Sequence, residues 1–126
     1  MAATTYDVLK LLSERWNAHD LDFVYRLLDD DYCEYLNGVL AKKGSAGTRA
    51  ADQYMYEAVP DYRREVDELY ADNDGGAMRW RFCGTGPNGP VEISVASTYR
   101  IRDGRVVECW VYGDPSSFAH AMGLER

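Results

Sequence analysis

The hydrophobic period of this chain changes at one point, Pro60, and that change limits what the chain can fold into. Before Pro60, apolar residues recur every three to four positions; after it, they recur every second position. A helical half followed by an alternating half must bury helix stripes against one face of a sheet. The class this implies is α+β: a roll in which a curved sheet, antiparallel or mixed, wraps around helices. At 126 residues the chain has the length of one domain, read here as 1–126 with no internal repeat or linker.

Thr4 or Thr5 can cap a first helix, with Asp7 in its first turn and Val8, Leu9, Leu11, Leu12 and Trp16 forming the stripe. Asn17-Ala18-His19-Asp20 breaks it, with His19 as a turn residue and Asp20 as the N-cap of a short second helix. Asp29-Asp30-Asp31 reads as a solvated loop. Tyr32 to Asn37 reads as a strand ended by Gly38, with Tyr32, Glu34 and Leu36 on one face and Cys33, Tyr35 and Asn37 on the other. A third helix is expected from Ser45 to Val59, its buried side carrying Tyr54, Met55 and Ala58.

Beyond Pro60 four strands are expected: 62–70, 77–84, 91–102 and 105–112. Asp72 to Gly76 is a strong turn signal, Thr85 to Pro90 a loop, and Asp103-Gly104 a two-residue hairpin turn. Asp114-Pro115 opens a last short helix that Gly123 closes.

Charge excludes several functions. Lys plus Arg number 14 against 21 Asp plus Glu, a formal net charge of −7, and the basic residues are scattered. Nucleic acid and anionic membrane surfaces are therefore not expected partners. No apolar run is long enough to span a bilayer, and MAATTYDVLK has neither the basic nor the apolar segment of a secretory leader, which points to a cytoplasmic protein. Cys33, Cys83 and Cys109 form no CxxC pair, and His19 and His120 have no ligand spacing. Neither a disulfide nor a metal centre is expected.

The order of these motifs resembles the SnoaL-like polyketide cyclase branch of the nuclear transport factor 2-like superfamily. The resemblance is carried by Trp16-Asn17-Ala18-His19-Asp20, the helix ending at Pro60-Asp61 and Met78 to Thr85. It continues through Asp103 to Trp110, Asp114 and Met122-Gly123-Leu124, and so covers nearly the whole chain. It implies a sheet curled around a deep pocket roofed by helices, a small-molecule substrate or ligand, no cofactor, and a homodimer through the outer sheet face. Relatives include ketosteroid isomerases, limonene-epoxide hydrolases, dehydratases and non-catalytic binding domains, so fold leaves activity open.

The last strand puts Glu108, Trp110 and Tyr112 on one face and Val107, Cys109 and Val111 on the other. The resemblance turns the polar–aromatic face inward. Where epoxide-hydrolase relatives carry an aspartate two residues beyond the tryptophan, this chain has Tyr112. Tyr35-Leu36-Asn37 resembles their water-positioning Tyr-x-Asn, but Arg79 and Arg81 alternate with no acid to complete their arginine–aspartate pair.

Ring closure by intramolecular aldol chemistry demands less: one acid–base group, a donor for the enolate, and a folded chain. The candidates are Asn37 and Tyr112 as donors, with Glu108 or Asp114 as the carboxylate. Tyr35, Trp110, Trp16, Arg79 and Tyr54 are candidates for substrate binding, Arg79 by stabilising enolate charge. Each has a plainer reading: Asp114 as a helix cap, Glu108 opposite Arg100, Arg79 and Arg81 on the outer face opposite Glu65 and Asp67, Asn37 as a turn cap. The sequence thus points to a cyclase, isomerase or dehydratase moving a proton beside a carbonyl of a polyketide-like or terpenoid-like compound. A non-catalytic binding or dimerisation domain and an epoxide hydrolase are the alternatives.

Overall fold

A computed structural model of the chain describes residues 4–124. The start of the segment read as leaderless, Met1 to Ala3, lies outside them. The elements are α1 (Thr5–Asn17), α2 (Leu21–Arg26), β1 (Leu28–Leu36), β2 (Val39–Lys43), α3 (Gly44–Ala58), β3 (Arg63–Ala71), β4 (Gly75–Gly86), β5 (Gly89–Arg102), β6 (Arg105–Tyr112) and α4 (Pro115–Ala121). They form one six-stranded mixed sheet in the order β2-β1-β6-β5-β4-β3, with helices against it.

Local signals start the helices where the sequence indicates. Thr4 caps α1 in a full capping box with Asp7, worth about 1 kcal/mol. Asp20 caps α2 by accepting from the Phe23 N–H, and His19 before it takes the left-handed backbone of a turn (φ 58°). Val8, Leu9, Leu12 and Trp16 of α1 are buried with Met78 and Trp80 of β4 and Val59 in one core. Each such side chain contributes about 1.5–3 kcal/mol.

Three features of the sheet differ from the sequence reading. Asp29-Asp30-Asp31 belongs to β1 rather than to a loop, and β2 was not anticipated. β2 pairs antiparallel with β1 (Cys33 opposite Lys43, Leu36 opposite Val39), turning at Asn37-Gly38 with φ of 51° and 85°. Thr85 to Pro90 is also tighter than a loop. Gly86 pairs with Gly89, leaving Pro87-Asn88 as the turn of the β4–β5 hairpin.

The meander of β3 to β6 is antiparallel throughout, but β1 joins it parallel to β6, with Tyr35 opposite Trp110. This parallel pair brings the helical half of the chain to the sheet. Among the described residues no helix is long and apolar enough to cross a membrane.

Candidate functional site

The sheet, α1, α3 and α4 enclose a cavity of about 460 Å³, within the range of small-molecule sites. Its walls are mostly apolar and aromatic: Leu12 and Trp16 from α1, Met55 from α3, Trp80 and Phe82 from β4, Phe118 from α4.

The faces that line it reverse the expectation. β1 turns Tyr32, Glu34 and Leu36 inward, and β6 turns Cys109 and Val111 inward. Glu108, Trp110 and Tyr112 therefore lie on the outer face. Trp110 Nε1 donates to Glu108 Oε1 at 2.7 Å, its indole stacks on Tyr35 at 4.1 Å, and Tyr112 is 48% exposed. The outer face can carry these polar atoms at little cost because they meet water or one another. The inner face takes the small and aliphatic residues that the curved sheet has room for.

Asn37 also lies outside the cavity. Its side chain donates to the Gly113 carbonyl (2.8 Å) and accepts from the Gly113 N–H (3.2 Å), clamping the end of β1 to the end of β6. Asp114 caps α4 through Ser116 N–H and Ser117 Oγ–H. Arg79 is ion-paired with Glu68 on the outer face, and Arg81 with Asp67 and Glu92. Glu108 stands opposite Arg100 in register. Of the nine sequence candidates, Trp16 and Tyr54 alone line the cavity.

The polar groups that do reach it were not singled out. Glu34 accepts from the Tyr32 hydroxyl (2.7 Å) and lies 3.4 Å from Lys42 Nζ. Lys42, from β2, is in turn 2.6 Å from Asp52, a side chain of α3 only 1% exposed, whose other oxygen accepts from Tyr25 (2.8 Å). Burial works against the Lys42 charge, but Glu34 and Asp52 outweigh it and hold the ammonium proton more tightly than usual. Burial, helped by Glu34, pushes the Tyr32 phenol well above its ordinary value.

The second polar group is Arg64 of β3. Its Nη1 donates to the Tyr99 hydroxyl at 3.3 Å, and its guanidinium carbon lies 4.3 Å from the Trp80 ring centroid and 5.4 Å from that of Trp16. Trp80 Nε1 donates to Ser97 Oγ at 2.9 Å. Burial raises the pKa of Tyr62 and Tyr99 and of the Cys109 thiol.

The signals for these groups were weak. The alternation of β1 put Glu34 beside Tyr32 and Leu36 but could not say which face turned inward. Asp52 follows Ala50 and Ala51 and precedes Gln53 and Tyr54, so its neighbours along the chain are only partly apolar. Among the described residues no group of three or more His, Cys, Asp or Glu is placed to hold a metal ion.

Comparison with known proteins bears on the whole chain. Residues 6–121 match a family described as SnoaL-like polyketide cyclase. Among solved structures, IdmH from Streptomyces antibioticus, described as a candidate polyketide cyclase, shares 24% identity. The match covers 96% of this chain and 99% of that one with a TM-score of 0.81. AclR from Streptomyces galilaeus, described as a candidate hydroxylase, shares 21% over 97% of each chain, with a TM-score of 0.78. An NTF2-like protein of unknown function from Burkholderia pseudomallei shares 16% over 96% of this chain and 98% of that one, with a TM-score of 0.84. At these identities the likeness is one of fold. A search of curated proteins by sequence gives no match.

Proposed function

The chain belongs to the SnoaL-like polyketide cyclase family, with the NTF2-like fold, and on that premise we propose that it catalyses proton transfer beside a carbonyl of a polyketide-like or terpenoid-like molecule. One observation carries the proposal: among the described residues, Glu34 is the one carboxylate that lines the apolar cavity, with Tyr32 and Lys42 on its oxygens.

In this reading Glu34 takes a proton from the carbon between two carbonyls, and the electron pair moves onto a carbonyl oxygen as an enolate. Tyr99 and Arg64 are the donors facing that oxygen. In an aldol closure the enolate carbon attacks a second carbonyl of the same molecule, one carbon–carbon bond forms, and the new alkoxide recovers the proton from Glu34. In a dehydration the same proton leaves with a hydroxyl as water. Electrons balance in both without a redox partner. Lys42, kept charged by Glu34 and Asp52, holds the carboxylate in place, a positioning role. The apolar walls fold the substrate so that its reacting ends meet.

The epoxide-hydrolase reading loses support because Tyr35 and Asn37, its water-positioning pair, lie outside the cavity. Pairing of two copies through the outer face, where Tyr70 and Tyr112 are exposed, belongs to the same proposal, as does a cytoplasmic setting, which three free cysteines fit.

The test is deuterium exchange. Flat aromatic 1,3-dicarbonyl compounds in D₂O should exchange their central hydrogen faster with the protein than without it. Glu34→Gln should lower that rate by about 100-fold or more. Equal rates for wild type and Glu34→Gln would refute the assignment. Binding of these compounds with no exchange would favour a non-catalytic ligand-binding domain.

A further inference from the structure

Arg64 is a cation without an anion. It is 9% exposed, and among the described residues no carboxylate lies within ion-pair distance of it. The titratable groups around it are Tyr62, Tyr99 and Cys109, and burial raises the pKa of all three, so each is neutral at ordinary pH. Its charge is met instead by the faces of Trp80 and Trp16, by the Tyr62 and Tyr99 hydroxyls and by a weak contact from Nη1 to Met78 Sδ.

Three polar atoms in this region are buried with no hydrogen-bond partner: Arg64 Nε, Trp16 Nε1 and the Tyr56 hydroxyl. Buried guanidinium groups are ordinarily matched by a carboxylate, because desolvating the charge is costly and aromatic faces recover only part of it. Here the matching group is missing beside an apolar cavity of ligand size, lined by Arg64 itself.

We propose that Arg64 is the anion-recognising group of this cavity, and that the ligand is an oxyanion on a flat apolar skeleton: a carboxylate, or the enolate that forms when Glu34 deprotonates a bound dicarbonyl compound. The inference rests on reading the cavity as the functional site and narrows its substrate class. Aromatic walls take the skeleton and the planar guanidinium takes the oxygen. A neutral ligand of the same shape leaves the Arg64 charge unmatched.

The experiment compares 2-naphthoate with its neutral isostere 2-naphthamide, by titration calorimetry or by quenching of tryptophan fluorescence. Wild type should bind naphthoate about tenfold to 100-fold more tightly, the range of a charge-assisted hydrogen bond. Arg64→Gln should remove that preference, and Arg64→Lys should restore part of it. If Arg64→Gln does not fold, the wild-type comparison still decides, since equal affinities for the two probes overturn the proposal. A preference that persists in Arg64→Gln overturns it too.

Acetylacetone-type probes, titrated across their own ionisation, separate the two sources of the oxyanion: binding that tracks the enolate fraction supports an enolate ligand, and binding of naphthoate alone a carboxylate. Glu34→Gln serves as the independent arm. It should lower exchange about 100-fold yet keep the naphthoate preference, and a wild type that exchanges but shows no anion preference sinks the role of Arg64 alone. Preference with no exchange in wild type sinks the catalytic reading alone.

Discussion

Replacing Lys42 by methionine tests how the polar network beside the cavity is held together. The ammonium is 2.6 Å from Asp52 and 3.4 Å from Glu34, with side-chain exposures of 16% for Lys42, 1% for Asp52 and 19% for Glu34. Methionine keeps the length of the stem and removes the charge. Glu34 can then turn to the cavity and its water, but Asp52 retains only the Tyr25 hydroxyl. A buried charge stripped of its partner costs about 3–5 kcal/mol. For a 126-residue domain the unfolding entropy is roughly 0.26 kcal/mol/K, so each kcal/mol lowers Tm by about 4 °C and the variant should lose about 11–19 °C.

Urea unfolding followed by tryptophan fluorescence gives the same quantity isothermally, since Trp16 and Trp80 are both buried. The decisive control is Lys42→Met with Asp52→Asn, which removes the stranded charge and keeps the Tyr25 hydrogen bond. It should recover most of the loss, a coupling of about 2 kcal/mol or more. A Lys42→Met cost below about 1 kcal/mol, or a double variant as costly as the two singles added, would refute the reasoning.

Four further outcomes follow from the same geometry. Asn37 combines a positive φ with two hydrogen bonds to Gly113, so Asn37→Ala should destabilise by about 1 kcal/mol more than Asn37→Gly in the same urea titration. A methyl group at Gly75 would lie 1.9 Å from the Tyr99 carbonyl oxygen, so Gly75→Ala should cost about 3 kcal/mol or more, whereas Gly38→Ala, with open space around it, should cost only its backbone strain. Burial raises the pKa of Tyr32, Tyr62, Tyr99 and Cys109 in the folded state. Their contribution is therefore complete below the unfolded values and is lost as pH rises, and thermal stability should weaken above about pH 8.5–9 as the unfolded chain ionises first. A thiol reagent at pH 8 should modify the half-buried Cys33 in the native state and reach the buried Cys83 and Cys109 only on unfolding, as counted by mass spectrometry.

The sequence by itself determined most of the elements and the family. Period, caps and turn formers are local, so α1, α2 and the hairpin at Asp103-Gly104 can be read from a few neighbouring residues. The alternation of β1 and β6 was legible as well: Glu34 shares a face with Tyr32, and Trp110 with Glu108. Tertiary structure decided which of those faces turns inward, because alternation is symmetric and carries no sign. The sign comes from the parallel pairing of β1 with β6 and from the helices that cover one side of the resulting sheet. Short-range reasoning could not reach the network either, since Lys42, Asp52 and Glu34 belong to β2, α3 and β1 and meet only when those elements pack. Arg64 looked like one charge in a strand rich in charges; the walls that Trp16, Trp80 and Tyr99 build around it from three other elements are what make it a buried, unmatched cation.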